Sequence, residues 1–273
     1  MRKFNLLFVF IILICITILS GCTKPEKQDV VLKSHNTETT DTSWETIKEK
    51  GVINIGIAVD GLPYIEKKTN GKYNGYLKDL ADEIAKKGNV EINFVEIDST
   101  KIPKMLQDHT VDMVMNGYTE GDTVNSQIKW LQPYISNHGI IVCNKYSDIE
   151  SKEDLAGRKV GIVDDTLSYT TTISDVNINN DELVKFTSEK EALNALSYRR
   201  IDALIIEDSY FYYYQKYNSH NYKVLDEIIY TYTRSIGVSK NYTQLYEELQ
   251  KIITDLEKDG TLEKISVKWF GKN

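Results

Sequence analysis

Residues 76–97, YLKDLADEIAKKGNVEINFVEI, contain a helical pattern followed directly by a strand pattern. In the first part, apolar residues recur at the spacings i, i+3, i+4, i+7 and i+8 from Leu77, which predicts one apolar face of an α-helix over 76–87. In the second part, apolar and polar residues alternate, which predicts a strand over 90–97. A helix joined this closely to a strand is typical of an α/β fold.

The same alternation of short apolar runs and helical segments continues on both sides of this stretch. Strands are predicted at 51–59, 111–115, 159–165, 183–187 and 201–208, and helices at 102–108, 189–198 and 210–217. Strands that alternate with helices indicate an α/β architecture with largely parallel sheets.

The N-terminal 22 residues have the composition of a secretory signal. Arg2 and Lys3 precede an apolar stretch over 6–19, which is shorter than the roughly 20 apolar residues that a membrane-spanning helix needs. The residues LSGC at 19–22 resemble a bacterial lipobox, in which the cysteine becomes the lipidated first residue of the mature protein. We therefore predict a lipoprotein signal peptide over 1–21 and a fatty-acyl (palmitate) anchor on Cys22. A buried cysteine near an ordinary cleavage site is the alternative.

Residues 23–43 are polar and lack a sustained apolar period, so 22–43 are predicted to form a lipidated cysteine and a flexible tether. Loss of Arg2 and Lys3 with the signal moves the formal net charge from −7 to −9. A negative charge of this size argues against binding to nucleic acid.

The cysteines and histidines do not form a catalytic or metal-binding pattern. Cys143 is the one thiol left after processing and lies in the apolar run GIIVC, so we expect a small buried side chain and no disulfide framework. The four histidines are scattered without metal-ligand spacing, and there is no GxSxG elbow, P-loop or CxxC pair. The sequence thus predicts a protein that is not an enzyme and holds no cofactor or metal ion.

Six motifs follow one another in the order GVINIGIAVDGLPY (51–64), NGKYNGYLKDLADEIAKK (70–87), DMVMNGYT (112–119), SDIESKEDLAGRKVGIV (147–163), IDALIIEDSY (201–210) and DGTLEKISVKWFG (259–271). Together they resemble the extracytoplasmic solute-binding proteins of ABC importers, in the amino-acid-binding family (family 3). The resemblance covers residues 44–271. It implies a two-lobed α/β fold of the type II periplasmic-binding-protein class, in which two hinge crossings join the lobes and the ligand binds between them.

The resemblance implies a first lobe over 44–142 plus 236–273 and a second lobe over 143–235. Open α/β sheets bind ligands beyond the carboxyl ends of their strands. The segments that follow VDMVM, KVGIV and IDALII begin at such ends and are therefore the expected walls of the ligand cleft.

In the first lobe, relatives present a backbone N–H and a hydroxyl to the ligand just after the DMVM-like strand. Gly117 and Thr119 stand at those positions, with Tyr118 between them, and a plain strand-to-helix turn is the alternative. The family arginine that binds the ligand's α-carboxylate falls at Val124, so this anchor is missing. Tyr64 lies just beyond the position of the aromatic residue that stacks on ligand side chains in relatives.

In the second lobe, the resemblance places Thr166 at a helix start that faces the ligand, and Ser168 caps that helix or contacts the ligand. The acidic position that meets an α-amino group falls at Glu207, with Asp208 next to it, and a solvated strand end is the alternative. Arg234 is a candidate replacement for the missing carboxylate partner. We expect it instead to be an arginine on the surface of the hinge.

Acids outnumber cations among the expected cleft positions, which are Glu120, Asp122, Asp164, Asp165, Glu207 and Asp208 against Arg234. This balance favours a cationic or amine-bearing solute over a simple zwitterionic amino acid. The run YFYYYQKY at 210–217 is expected to pack as a helix, with an aromatic ligand cage as the alternative.

These observations predict a monomeric, lipid-anchored substrate-binding protein on the extracytoplasmic face of the cell membrane. It would capture an amino acid or a related small polar solute and deliver it to an ABC permease, without contacting nucleic acid. Two alternatives stay open. One is a sensor or adhesin lipoprotein of the same fold without a transport role, and the other is a dehydratase-like enzyme, whose anionic substrate would require cations in the cleft.

Overall fold

The computed structural model describes residues 41–115, 126–163, 182–218 and 221–271. The signal peptide, Cys22 and most of the tether lie outside these ranges. The strands are β1 (Val52–Ile57), β2 (Glu66–Lys67), β3 (Tyr73–Asn74), β4 (Glu91–Glu96), β5 (Met113–Met115), β6 (Ile128–Trp130), β7 (Ile135–Asn144), β8 (Val160–Val163), β9 (Leu183–Phe186), β10 (Ala203–Glu207), β11 (Tyr222–Arg234) and β12 (Gly237–Ser239). The α-helices of the same ranges are α1 (Ser43–Lys50), α2 (Tyr76–Gly88), α3 (Ile102–Gln107), α4 (Glu189–Ser197), α5 (Asp208–Tyr217), α6 (Thr243–Lys258) and α7 (Thr261–Phe270).

The first sheet has the strand order β4-β1-β5-β12-β6. β4, β1 and β5 are parallel, and β12 pairs antiparallel with both β5 and β6. The apolar face of α2 packs in the same core as β1, α6 and α7. Because α6 and α7 come last in the chain, the C-terminal helices complete a core that the N-terminal strands begin.

The second sheet has the strand order β11-β7-β10-β8-β9. All five residues of β10 are buried, and the first four alternate between two apolar clusters on opposite faces of the sheet. One cluster includes Leu204 and Ile206 with the fully buried Phe211 of α5, and the other includes Ala203 and Ile205 with Cys143. The sequence of a strand that is covered on both faces is a nearly continuous run of apolar residues, which is the pattern of IDALII.

The chain passes between the two sheets twice, at residues 131–134 and 235–236. The two passages are hydrogen-bonded to each other, because the Leu131 N–H donates to the Ile236 carbonyl at 2.9 Å and the Tyr134 N–H donates to the Arg234 carbonyl at 3.0 Å. The second passage lies at the predicted boundary. The first lies before the predicted boundary at 142/143, since β7 pairs with the second sheet from Ile135 onward. The limits of the lobes themselves stay a prediction.

The predicted strands and helices within the described ranges are confirmed with shifts of one or two residues at most ends. The expectation of largely parallel sheets was wrong. β7 runs antiparallel to β10 and β11, and β12 runs antiparallel to β5 and β6, so both sheets are mixed. The antiparallel strands are those next to the two passages, where the chain leaves one sheet and later returns.

Two further observations concern the membrane and Cys143. None of the helices described above is long and apolar enough to cross a membrane. Cys143 is a free thiol that is buried in the core of the second sheet, as the GIIVC run predicts. Burial raises the pKa of this thiol to about 11.

Candidate functional site

A cluster of five polar side chains is buried where the two sheets approach each other, and we refer to it as the Tyr64 cluster. Tyr64 follows β1 in the first lobe. Asn137 is on β7, Glu207 is the last residue of β10, Ser209 is in the first turn of α5, and Arg234 is the last residue of β11. Tyr64 is 0% exposed and the Arg234 side chain is 12% exposed. The cluster therefore joins residues of both sheets in a largely water-free environment.

The hydroxyl of Tyr64 is the centre of the hydrogen bonds in this cluster. It donates to Oε1 of Glu207, lies 2.8 Å from the Ser209 hydroxyl, and accepts from Nδ2 of Asn137 at 2.7 Å. The Ser209 hydroxyl donates to the same Glu207 oxygen. Burial, together with the charge of Glu207, raises the pKa of Tyr64 well above its ordinary value, although Arg234 opposes the shift. Tyr64 is thus a neutral donor at physiological pH.

Arg234 neutralises the Glu207 carboxylate from its other side. Its Nη2 lies 3.0 Å from Oε2 of Glu207 and 3.1 Å from the Tyr232 hydroxyl. The guanidinium carbon also lies 4.1 Å from the centre of the Tyr64 ring, which is cation–π geometry. Burial disfavours the charged guanidinium, but the neighbouring groups Tyr64, Glu207, Tyr134 and Tyr210 together outweigh it and raise the pKa of Arg234. The guanidinium therefore stays charged and is paired with Glu207 inside the protein.

This arrangement corrects the interpretation of Arg234 as an arginine on the hinge surface. Its position at the second passage is as predicted, but its side chain is buried against Tyr64 and Glu207. The reason is the pairing of β11 with β7, which turns the end of β11 toward the carboxyl end of β10.

Two further acidic residues lie at the same edge of the second sheet. Asp208 is buried, and its Oδ2 is 3.1 Å from Nδ1 of His138 on β7. Glu189, which begins α4 three residues after β9, is partly buried and has no salt-bridge partner within the described ranges. Burial raises the pKa of Glu189, and the nearby charges of Glu207 and Asp60 add to the effect, whereas Arg234 opposes it. The native environment of Glu189 therefore disfavours its charged form.

The tyrosine-rich helix α5 packs against both cores, as the sequence predicts. Phe211 is fully buried in the second sheet's core, whereas Tyr213 stacks on Trp269 of α7 at 6.1 Å between ring centres. Tyr210 makes an edge contact with Tyr64 at 5.6 Å. Nζ of Lys216 donates to the Lys268 carbonyl at 2.6 Å. The helix consequently connects the second sheet to the C-terminal helix of the first.

Eight residues are predicted to contact the ligand. Of these, the structure brings Tyr64 and Glu207 into direct contact, and Asp208, which follows Glu207 in the chain, is paired with His138. The other five, Gly117, Tyr118, Thr119, Thr166 and Ser168, lie outside the described residues, as do the cleft acids Glu120, Asp122, Asp164 and Asp165 and the substituted position Val124.

Sequence reasoning missed three side chains of this region: Asn137, Ser209 and Glu189. Ser209 is part of the IDALIIEDSY motif, which is a weak signal, whereas Asn137 lies in the polar first part of β7 (ISNH) and carried none. Glu189 begins a helix, where acidic residues are common for reasons unrelated to ligands. No group of three or more His, Cys, Asp or Glu side chains in the described part of the chain has the geometry to hold a metal ion.

Comparisons with known proteins agree with this architecture. The family of bacterial extracellular solute-binding proteins, family 3, matches residues 53–272. The L-cystine-binding protein TcyJ of Escherichia coli (strain K12) is 23% identical over 232 residues, which cover 82% of this chain and 85% of that protein. The arginine-binding extracellular protein ArtP of Bacillus subtilis (strain 168) is 27% identical over 228 residues, which cover 79% of this chain and 85% of that protein.

Solved structures agree as well. The substrate-binding protein of a polar amino acid ABC uptake transporter from Streptococcus thermophilus superposes with a TM-score of 0.72 at 27% identity, covering 88% of this chain and 93% of that one. The two lobes, the two passages between them and the family match over most of the chain lead to one conclusion. The chain belongs to the bacterial extracellular solute-binding proteins, family 3.

Proposed function

We propose that this protein is the lipid-anchored substrate-binding component of an ABC transporter and captures an amino acid or a related small polar solute between its lobes for import. One observation carries the proposal beyond the family. Tyr64 of the first lobe and Glu207 of the second converge on one buried polar cluster at the carboxyl ends of β1 and β10. Ligands of open α/β sheets bind at such ends.

The charge distribution supports an amine-bearing solute. Glu189 interacts electrostatically with Glu207, Asp60 and the guanidinium of Arg234, so three acids act on this region against one cation. The segments 116–125 and 164–181, which continue directly from β5 and β8, contain no Lys, Arg or His. A positively charged group on the solute would balance this excess of acids. The names of two relatives, which refer to arginine and cystine, are compatible with such a solute.

A thermal-shift screen of residues 23–273 against amino acids, amines, peptides and organic acids tests the binding function. A ligand present at 100 times its dissociation constant adds about 2.7 kcal/mol to the free energy of unfolding. We expect stabilisation by basic amino acids or amines and none by acidic amino acids. A stronger response to an acidic amino acid than to any amine would contradict the proposed solute class. A flat response across all four compound classes would contradict the binding function.

The lipid anchor and the transport role require separate tests. Radiolabelled palmitate should appear on the full-length chain in growing cells and be lost in Cys22→Ala, which should be released from the membrane fraction. Deletion of the gene should abolish uptake of the ligand found in the screen. Normal uptake after deletion would favour the sensor or adhesin alternative, because such a lipoprotein binds its ligand without delivering it to a permease. Sedimentation of residues 23–273 should show a monomer.

A further inference from the structure

Both carboxylate oxygens of Glu207 are already bonded to groups of the protein. Oε1 accepts from the hydroxyls of Tyr64 and Ser209, and Oε2 accepts from the guanidinium of Arg234 at 3.0 Å. An ionised carboxylate accepts about four hydrogen bonds in total. The charge of the Glu207 carboxylate is balanced by the guanidinium of Arg234, whose side chain is only 12% exposed.

A cation from solution would have to displace Arg234 to pair with Glu207. Displacement would leave the guanidinium buried without its carboxylate, which is strongly unfavourable. It would also disturb the contact between the guanidinium and the face of the Tyr64 ring at 4.1 Å. The ion pair and the ring contact therefore hold Arg234 in place from two sides.

This inference rests on the proposed function and concerns which solutes the cleft accepts. We propose that Arg234 is a specificity-determining residue: its guanidinium occupies, from within the protein, the cation position at Glu207. The amine of the transported solute is therefore bound elsewhere in the cleft, and ligands that depend on Glu207 for their ammonium group are rejected. Removal of the Arg234 side chain converts Glu207 into a binding site for small cations.

Chemical rescue tests this proposal without knowledge of the natural ligand. In the chain over residues 23–273, Arg234→Ala should be destabilised, because Glu207 becomes a buried and unpaired acid. Low concentrations of n-propylguanidinium, measured against the same concentration of sodium chloride, should raise the unfolding midpoint of Arg234→Ala and leave that of the wild type unchanged. The affinity of the variant for n-propylguanidinium should exceed that of the wild type by at least about tenfold.

Two control variants identify the group that binds the added cation. Arg200→Ala, which removes an exposed arginine that follows α4, should show no rescue. The double variant Arg234→Ala/Glu207→Gln should show none either, because it lacks the carboxylate. If Arg234→Ala does not fold alone, recovery of folded protein on refolding with n-propylguanidinium but not with sodium chloride serves as the readout.

Two outcomes would overturn the proposal. One is an Arg234→Ala variant that neither responds to n-propylguanidinium nor recovers on refolding with it. The other is a wild-type protein that binds small ammonium or guanidinium compounds with a response that Glu207→Gln removes. Neither outcome depends on the ligand screen, so failure of this proposal and failure of the binding function are separable.

Discussion

The hydroxyl of Tyr64 donates a hydrogen bond to the carboxylate of Glu207, 143 residues further along the chain. Tyr64 follows the first strand of one sheet, and Glu207 ends the central strand of the other. The bond therefore connects the two lobes directly, and it is enclosed by Ser209, Asn137 and Arg234. Glu207, Ser209 and Asn137 are all hydrogen-bonded to this single hydroxyl of Tyr64.

Tyr64→Phe should lower the free energy of unfolding by about 2 kcal/mol, because it removes a buried hydrogen bond to a charged acceptor and leaves the Asn137 amide without its partner. The ring contacts with Arg234 and Tyr210 are kept, so no cavity forms. Urea denaturation of residues 23–273 measures the change. Tyr73→Phe is the matched control, since Tyr73 donates to Glu96 at the surface, and should cost less than about 1 kcal/mol. Equal losses of unfolding free energy in the two variants would show that burial of the Tyr64 hydrogen bond adds nothing to its contribution to stability.

Glu189→Gln should stabilise the protein at pH 7 and have little effect at pH 4. Burial raises the pKa of Glu189 in the folded state, so the native protein prefers the protonated carboxyl. The favourable contribution is complete below the unfolded-state pKa of about 4.3 and is lost as pH rises through the folded-state value. Glutamine cannot ionise and avoids this loss. Urea unfolding at both pH values measures the difference.

Glu247→Gln, on the exposed face of α6, is the control for Glu189→Gln and should change stability little at either pH. Destabilisation of Glu189→Gln at pH 7 would show that the charged carboxylate is stabilised in the native state, contrary to the direction of its pKa shift.

Gly75→Ala should destabilise the protein by about 3 kcal/mol or more. Gly75 has a φ of +141°, and a Cβ there would lie 2.1 Å from the Tyr64 carbonyl oxygen. The backbone of Tyr64 would have to move, and the hydroxyl bonds of the Tyr64 cluster with it. Gly71→Ala is the matched control, because Gly71 has a φ of +79° and a Cβ there would meet no heavy atom within 4 Å, so it should cost about 1 kcal/mol. Thermal denaturation compares the two, and equal costs would rule out the contact with Tyr64 as the cause.

The thiol of Cys143 should be unreactive toward a thiol-specific aromatic disulfide at pH 8 until the protein unfolds. Burial raises its pKa to about 11, so the thiolate is scarce, and the buried sulfur is inaccessible to the reagent. Reaction in residues 23–273, where Cys143 is the one cysteine, should follow the urea unfolding curve. Rapid reaction of the native protein would contradict the burial of this side chain.

Much of the fold was predictable because its elements have clear periods. The apolar face of α2 and the buried runs of β1 and β10 each follow a single regular pattern. β11 was not predicted, because its alternation is interrupted by Asp226 and Glu227 where its register with β7 shifts. Its antiparallel pairing, and with it the mixed sheet, depends on contacts that no local pattern contains.

The sequence predicts which residues lie at the site, but it does not predict which of them bond to each other. Family resemblance pointed to Tyr64 and Glu207 as separate ligand contacts. It gave no indication that they bond to each other, because that bond depends on how the two lobes approach. The sequence places Arg234 at the hinge, but the pairing of β7 with β11 and β10 decides that its side chain turns inward to Glu207.

The last strand of the first sheet, β12, lies between β5 and β6, which precede it by more than a hundred residues. As the chain is made from its N terminus, the second sheet has all its described strands once Arg234 has been synthesised. At that moment β5 and β6 still lack the neighbour they share, and the core around β1 still lacks α6 and α7. The half of the protein that begins first in the chain is therefore the half whose sheet and core cannot be completed until the last segments are present.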